Sequence, residues 1–545
     1  MKTKSLKILS LTIILLCFLA SCKFQGEDDS MIKLPTNASR TWIGPEYWAN
    51  PLQDWRLHNG EIECISSGGY RSVFLLTHEI GTQEGGFSMS VNAKNLNPAG
   101  DTLNEGWIGF EIGIHGEFDD YRSRAIRGRG LPIGLSTEGS LFIGEIDSGG
   151  ISIPNITADH IFMKIDAVQQ DDSNYTLSLE VKSSSSPLSA QSQAQQYSIT
   201  RNNIPASRIE GGIALMCHSG LHKQFWDETK PVDYQGWGTS RGTQRNGNVN
   251  FGFADWKISG DKINVHENRM FGPILFAQYT LSEGILKMTA QLPPIGKEDS
   301  PTVDLQIDAG AGWKTISKAG IDSLSRTATF IVVDWDASED IPYRLAYELY
   351  SEGNKLKEHY FEGCIRHDPT DKKEIVVAGF TGNNDMGFPN NDIVNSVKYH
   401  DPDLLFFSGD QIYEGVGDYG AQRAPLDKAC LDYLRKWYLY GWAYADLMRD
   451  RPTIAIPDDH DVYHGNIWGA GGIATPAGLV GGKAQDEGGY KMPAAWVNMV
   501  QRTQTSHLPD PYNPTAVAQD IGVYYTDMKY GGISFAILED RKFKS

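Results

Sequence analysis

At 545 residues the chain is long enough for about three to four domains of ~150 residues each. Its 49 Lys and Arg against 68 Asp and Glu give a net charge of −19, which argues against nucleic acid as the main partner, because a phosphate backbone calls for a basic surface. Aromatic residues at 11% and charged residues at 21% exclude a disordered chain, and the abundance of Gly, Trp and Tyr suits a secreted, β-rich protein. No internal stretch of ~20 residues is apolar enough to span a bilayer.

Lys2, Lys4 and Lys7 precede an apolar run from Ile8 to Ala20, the pattern of a secretory signal peptide over residues 1–21. The run ends in Leu19-Ala20-Ser21-Cys22, which resembles a bacterial lipobox. The resemblance implies cleavage before Cys22, lipidation of its thiol, a polar tether over 22–33, and a membrane-anchored lipoprotein of the periplasm or cell surface. Cys64, Cys217, Cys364 and Cys430 are far apart in the chain, with no C-x-x-C pair. That predicts isolated, mostly buried thiols and no zinc site of the usual spacing.

Residues 34–260 alternate strand-like runs with Gly, Asn and Ser turns: Phe87–Val91, Trp107–Ile112, Phe162–Ile165 and Tyr175–Leu179. Period-two alternation at this density predicts an antiparallel sandwich, with a late strand, Phe251–Trp256, returning to pair near the beginning. The topology resembles the concanavalin-like jelly rolls appended to extracellular hydrolases, and exposed Trp and Tyr there would suit a glycan partner. Arg122, Arg124, Arg127 and Arg129 read either as an anionic-ligand patch or, preferably, as the solvated face of an edge strand. Ser185-Ser186-Pro187 and the Gln-rich run at 191–196 read as a surface loop.

Residues 266–367 carry short strands, among them Ile274–Ala277, Thr329–Val333 and Tyr343–Tyr347, at the spacing of a small Ig-like or fibronectin-like sandwich. From Lys372 to residue 545 the pattern changes to alternating strand and helix, an α/β layer architecture. Glu374–Phe380, Leu404–Ser408 and Thr453–Ile456 read as buried strands, and Asp392–Tyr399 and Leu426–Arg449 as helices.

The residues just after these strands carry the chemistry. Thr381-Gly382-Asn383-Asn384-Asp385 stands after the first, Gly409-Asp410-Gln411-Ile412-Tyr413 after the second, and Pro457-Asp458-Asp459-His460-Asp461 after the third. Polar side chains at three successive carboxyl ends converge on one crevice of an open α/β sheet. Carboxylates, amide oxygens and imidazole suit hard or borderline metal ions, and a pair of such ions activates water and clamps a phosphoryl oxygen.

Phe406-Phe407-Ser408-Gly409-Asp410-Gln411-Ile412-Tyr413-Glu414 and Ile456-Pro457-Asp458-Asp459-His460-Asp461 resemble the second and third blocks of the calcineurin-like metallophosphoesterases. The nearer likeness is to the alkaline phosphatase D (PhoD-like) branch, where Asp-Asp-His replaces Gly-Asn-His. Tyr433–Tyr440 resembles that branch's Tyr- and Arg-rich helix. The resemblance covers about 266–545 and implies two or more metal ions, iron with calcium by that likeness, and a phosphate ester substrate. It implies that Asp410 bridges the ions, that Asp459 is a ligand, and that His460 stabilises the transition state or protonates the leaving alkoxide. Tyr438 is a phenolate ligand or a core aromatic, and Asn466 is a weaker ligand candidate.

The branch's first strand commonly ends in an iron-binding Cys. None is present here, so the site uses Asn384 or Asp385, binds a different metal, or has shifted activity. Glu539-Asp540-Arg541 resembles a block near the middle of the family's domain, which predicts that the chain is a fragment whose distal ligands lie beyond Ser545. The leading expectation is an anchored phosphoesterase of monoesters or diesters. The alternative is a non-enzymatic glycan-binding lipoprotein with a degenerate phosphatase region. A glycan-active enzyme with its site in 34–260 ranks last, since no close carboxylate pair stands there.

Overall fold

The computed structural model describes residues 30–545 except 32, 99, 145–159, 172, 185–194, 221–244, 309 and 311. The signal peptide, Cys22, most of the tether and most of the expected Ser/Gln-rich loop lie outside the described residues. Among those described, no helix is long and apolar enough to cross a membrane.

In the N-terminal region the alternating residues Phe87, Met89, Val91 and Ala93 turn inward with Ile161, Met163, Ile165 and Ala167, and with Tyr175, Leu177, Leu179 and Val181. They line a nine-stranded sheet that faces a six-stranded one. Strand Phe251–Ser259 returns to lie between Phe87–Asn95 and Glu61–Cys64, and also pairs with Ser30–Met31. Cys64 and Cys217 meet in this core rather than standing isolated, and burial, then the Cys64 thiol, push Cys217 well up.

The six-stranded sheet is covered on both sides. Ile108, Phe110 and Ile112 face the sandwich interior, whereas Phe74, Trp107, Phe142 and Met216 join a second core with the C-terminal region. That second core explains why strand Gly106–His115 is buried along nearly its whole length.

The middle region packs a three-stranded sheet, Phe276–Ser282, Ile285–Gln291 and Thr327–Val332, against a four-stranded one. Tyr279, Leu305, Phe330 and Leu345 fill the space between them. This core also continues into the C-terminal region through Leu404, Ile454, Met528 and Tyr530.

The C-terminal region is built on three parallel strands, Val377–Phe380, Leu404–Phe407 and Thr453–Ala455. Helix Asn391–His400 joins the first two and helix Leu426–Met448 the last two. The long helix is buried on every side from Asp432 to Tyr444, and its charged residues Asp432, Arg435 and Lys436 are buried together with the apolar ones. Trp442 stacks on Phe271 and Trp48, with ring centroids 4.5 and 5.0 Å away. Trp437 donates to Gln291 of the middle region. Tyr440 and Tyr444 meet the ring of Phe407 on the helix's own sheet. Gly441 is required because a Cβ there would stand 2.0 Å from Phe276.

Arg122, Arg124 and Arg127 are on helix Tyr121–Arg127, not on an edge strand, and they are neither a solvated face nor a vacant anion patch. Arg124 pairs with Glu79 and Asp119 within the N-terminal region. Arg122 reaches the Trp442 carbonyl and Asn391, and Arg127 reaches Asp385 and Asp418, all in the C-terminal region. Arg129 lies over the Tyr70 ring at 3.7 Å. Long-range pairing consumed the charges that the local pattern assigned to solvent.

Candidate metal centre

The second strand ends in Ser408-Gly409-Asp410, and the turn is left-handed at both Gly409 (φ +114°) and Asp410 (φ +52°). A side chain at Gly409 would put its Cβ 2.4 Å from that of Asp458, so only glycine lets the two strand-end loops approach this closely. Asp461 ties the loops together. Its fully buried carboxylate accepts from the backbone N–H of Asp410 (2.8 Å), Gln411 (3.1 Å) and Asp458 (2.8 Å), and from the Gln504 amide (3.0 Å). Burial pushes its carboxyl up to about 8 while the N–H donors favour the charged form.

This strut brings Asp410, Asp458 and Asp459 together, with one carboxylate oxygen of each within 4.8 Å of the others. Two oxygens on opposite sides of one calcium-sized ion are at most ~5 Å apart, so the cluster has the dimensions of a hard-cation site. Burial, and next the charge of Asp459, raise Asp410; the same causes push Asp458 up to about 6. Arg541 brings a guanidinium to the cluster, its Nε and Nη2 (3.1 Å) both bonding Asp458.

His460 stands at the rim on a short 3-10 turn, His460–Val462. Its backbone N–H donates to Asp410 (3.3 Å) and its Nδ1 lies 2.8 Å from Glu414 Oε2. The bond to Glu414, set against partial burial, raises the imidazole to about 9. Tyr413 packs on the imidazole, ring centroids 4.5 Å apart, and donates its O–H to Asp410 Oδ2 at 3.1 Å. Burial, then Asp410, push the phenol up to about 12, so it remains a donor at neutral pH.

Of the residues expected from the sequence, the structure gathers Asp410, Asp459 and His460 and leaves the others elsewhere. Asn384 turns its side chain back to cap the 3-10 turn Asp385–Gly387, accepting from the Met386 N–H at 3.2 Å. Asp385 is buried and bonded to Arg127 and the Gly417 N–H. Tyr438 donates to the Leu292 carbonyl at 3.1 Å, facing the middle region; it is the core aromatic and not the phenolate. Asn466 is exposed.

Asp458 was missed, although it adjoins Asp459 in the same motif; Glu414 stood in the neighbouring one without a role. Arg541 stood in the Glu539-Asp540-Arg541 block without a site role, because it reaches the site from 83 residues beyond Asp458. The donor set is all carboxylate oxygen, which fits a hard divalent ion. It does not fit iron held by a Cys or by Tyr438, since the first-strand end lacks the one and the other is turned away.

No protein-family model and no curated protein matches this sequence. Among solved structures the chain is similar to PhoD, at 15% identity and a TM-score of 0.34, over 50% of this chain and 52% of that one. It is also similar to the lectin UEA-II complexed with galactose, at 8% identity and a TM-score of 0.26, over 43% of this chain and 99% of the lectin. The metal-free exoplasmic/lumenal domain of VIP36 matches at 10% identity and a TM-score of 0.20, over 42% and 99%. The chain thus spans about half the length of the solved PhoD.

Proposed function

We propose that this chain is a metal-dependent phosphoesterase of the alkaline phosphatase D type, acting on a phosphomonoester or phosphodiester outside the cytoplasm. One observation supports it above others: three carboxylates short of protein cations meet at the ends of adjacent parallel strands, beside a histidine held by Glu414. Asp410, Asp458 and Asp459 would hold the cation, which when bound lowers the pKa of water and neutralises phosphoryl oxygens.

The rest falls to the chain's own side chains. His460 is protonated at neutral pH, and Glu414 on Nδ1 leaves Nε2–H directed away from its carboxylate partner, able to protonate a leaving oxygen. Tyr413 fixes the rotamer of Asp410. Arg541 adds a planar guanidinium suited to a phosphoryl oxygen. The motif resemblance supports the roles of Asp410, Asp459 and His460. Lipidation at Cys22 would place the enzyme on the periplasmic or outer face of a membrane.

Hydrolysis of aryl phosphates by Mn²⁺-loaded protein tests this reading. Asp410→Asn should lower metal content and rate together, whereas His460→Ala should keep the metal and lose ~10²–10⁴ in rate. The loss should be smaller for nitrophenyl than for alkyl esters, because a good leaving group needs little protonation. If both variants turned over every phosphoester like the parent, the reading would be wrong.

A second reading, glycan binding by the N-terminal sandwich, is favoured by a trough of about 540 Å³ on the open face of the nine-stranded sheet. Its floor is the small residues Ser88, Ser90 and Asn92 of one strand, and its walls are Phe162 and Lys164 on one neighbour and Lys257 on the other. The volume suits an oligosaccharide segment and the hydroxyl floor its polar edges. Calorimetry with soluble oligosaccharides tests it: Ser90→Trp, which fills the floor, should abolish any binding.

A further inference from the structure

We propose that Arg127 of the N-terminal sandwich is a positioning residue of the metal centre. It acts through Asp385 and the loop carrying Asn383 to hold Asp410 in its left-handed conformation. The functional consequence rests on the phosphoesterase reading; the structural linkage does not.

Arg127 Nη2 donates to Asp385 Oδ2 at 2.5 Å, and the two side chains retain only 11% and 6% of their exposure. The same Asp385 oxygen accepts the Gly417 N–H at 2.8 Å, and Arg127 also faces Asp418 at 3.3 Å. One carboxylate therefore fastens three segments: the sandwich helix, the loop after the first parallel strand, and the loop after the second. The last of these carries Asp410 and Glu414.

From Asp385 the path to the metal cluster is short. Asn383, two residues earlier, donates its backbone N–H to the Asp410 carbonyl at 2.8 Å, and its side chain is held by the Tyr444 hydroxyl at 2.6 Å. A non-glycine residue at positive φ is strained and persists only where its surroundings over-determine it. For Asp410 those surroundings include a backbone bond on each side: its N–H to Asp461 from the third strand's loop, and its C=O from Asn383. Arg127 secures the loop that makes the second bond. Without the guanidinium, Asp385 is a buried charge that must turn to water and take its loop with it.

A second hold keeps the two regions docked when Arg127 is changed. Arg122 bonds the Trp442 carbonyl (3.0 Å) and Asn391 (2.7 Å), and Asn391 returns a bond to Asp120 (3.0 Å). An Arg127 variant should therefore fold. Arg124, on the same helix but paired only within the sandwich, is the matched control.

Amide hydrogen exchange on metal-free protein tests the linkage directly. Arg127→Met should speed exchange at least ~10-fold across 381–388 and 408–414, while Arg124→Met leaves both at the parent rate. Calorimetric titration with Mn²⁺ tests the consequence. Arg127→Met should bind ~10–100-fold more weakly, the range for losing a residue that orients a ligand, and Arg127→Lys should recover part of that. The double variant Arg127→Met/Asp385→Leu removes both charges and should regain thermal stability but not Mn²⁺ affinity. Parent-like exchange in Arg127→Met, or full recovery of affinity in the double variant, would overturn the proposal. A parent protein that binds no Mn²⁺ would instead overturn the phosphoesterase reading, and the exchange comparison would still decide the linkage.

Discussion

Two acidic centres flank the same long helix system and differ in how their charge is met. Asp432, fully buried, is bonded by Lys436 (2.8 Å), Arg435 (3.0 Å), the Tyr463 hydroxyl (2.8 Å), Gln53 (3.1 Å) and the Gln422 N–H (3.0 Å). Burial alone would raise its carboxyl, yet Lys436 and Arg435 outweigh burial and hold it well below the usual range. At the strand ends, Asp410 and Asp458 are only partly buried, yet burial first and then the charge of Asp459 raise both, with Arg541 bonded to Asp458. Asp432 is satisfied from within the protein and acts as a structural hub. The strand-end cluster is the candidate site because the fold leaves it short of positive charge.

The largest effect that separates the two centres should come from Asp432→Asn. It leaves Lys436 and Arg435 buried without their counter-ion and should cost about 3–5 kcal/mol, read by denaturant unfolding. Next comes the response to a cation: Mn²⁺ at 100 times its dissociation constant should stabilise the parent by about 2.7 kcal/mol and do nothing for Asp410→Asn. In metal-free protein Asp410→Asn should shift stability by no more than about 1 kcal/mol, since relief of repulsion offsets the altered bonds to Tyr413 and His460. If it destabilised as much as Asp432→Asn, the contrast would not stand.

The smallest effect belongs to Glu414 and His460. His460 is raised to about 9 by its partner, so this pairing contributes stability that is fully present below the unfolded value near 6.5 and lost as pH rises through about 9. Glu414→Gln should lower metal-free stability by about 0.5–1 kcal/mol at pH 6 and match the parent above pH 10, followed by melting temperature against pH.

Much of this was legible along the chain. Strands such as Phe87–Asn95 and Asn174–Ser184 announce themselves by period two, and the second and third parallel strands by short apolar runs closed by Gly-Asp or Pro-Asp. Asp410, Asp459 and His460 were legible for the same reason: each ends an element whose type sets its direction. Strand Gly106–His115 was only half legible. Trp107–Ile112 shows as a strand, but nothing local says that a second core lies against its other face.

Tertiary structure alone decided the remaining partners. Arg127 meets Asp385 across 258 residues, and Arg541 meets Asp458 across 83. Tyr438 turns to Leu292 while Tyr440 and Tyr444 turn to the parallel sheet, although all three stand on one helix that is buried on every side at these positions. Alternation, turn residues and strand-end motifs act over a few residues, so the sequence by itself determined the elements and the type of chemistry at their ends. Which carboxylate is neutralised by the protein, and which is left short of positive charge, depends on charges delivered from distant segments. Only the packing of the three regions sets that balance.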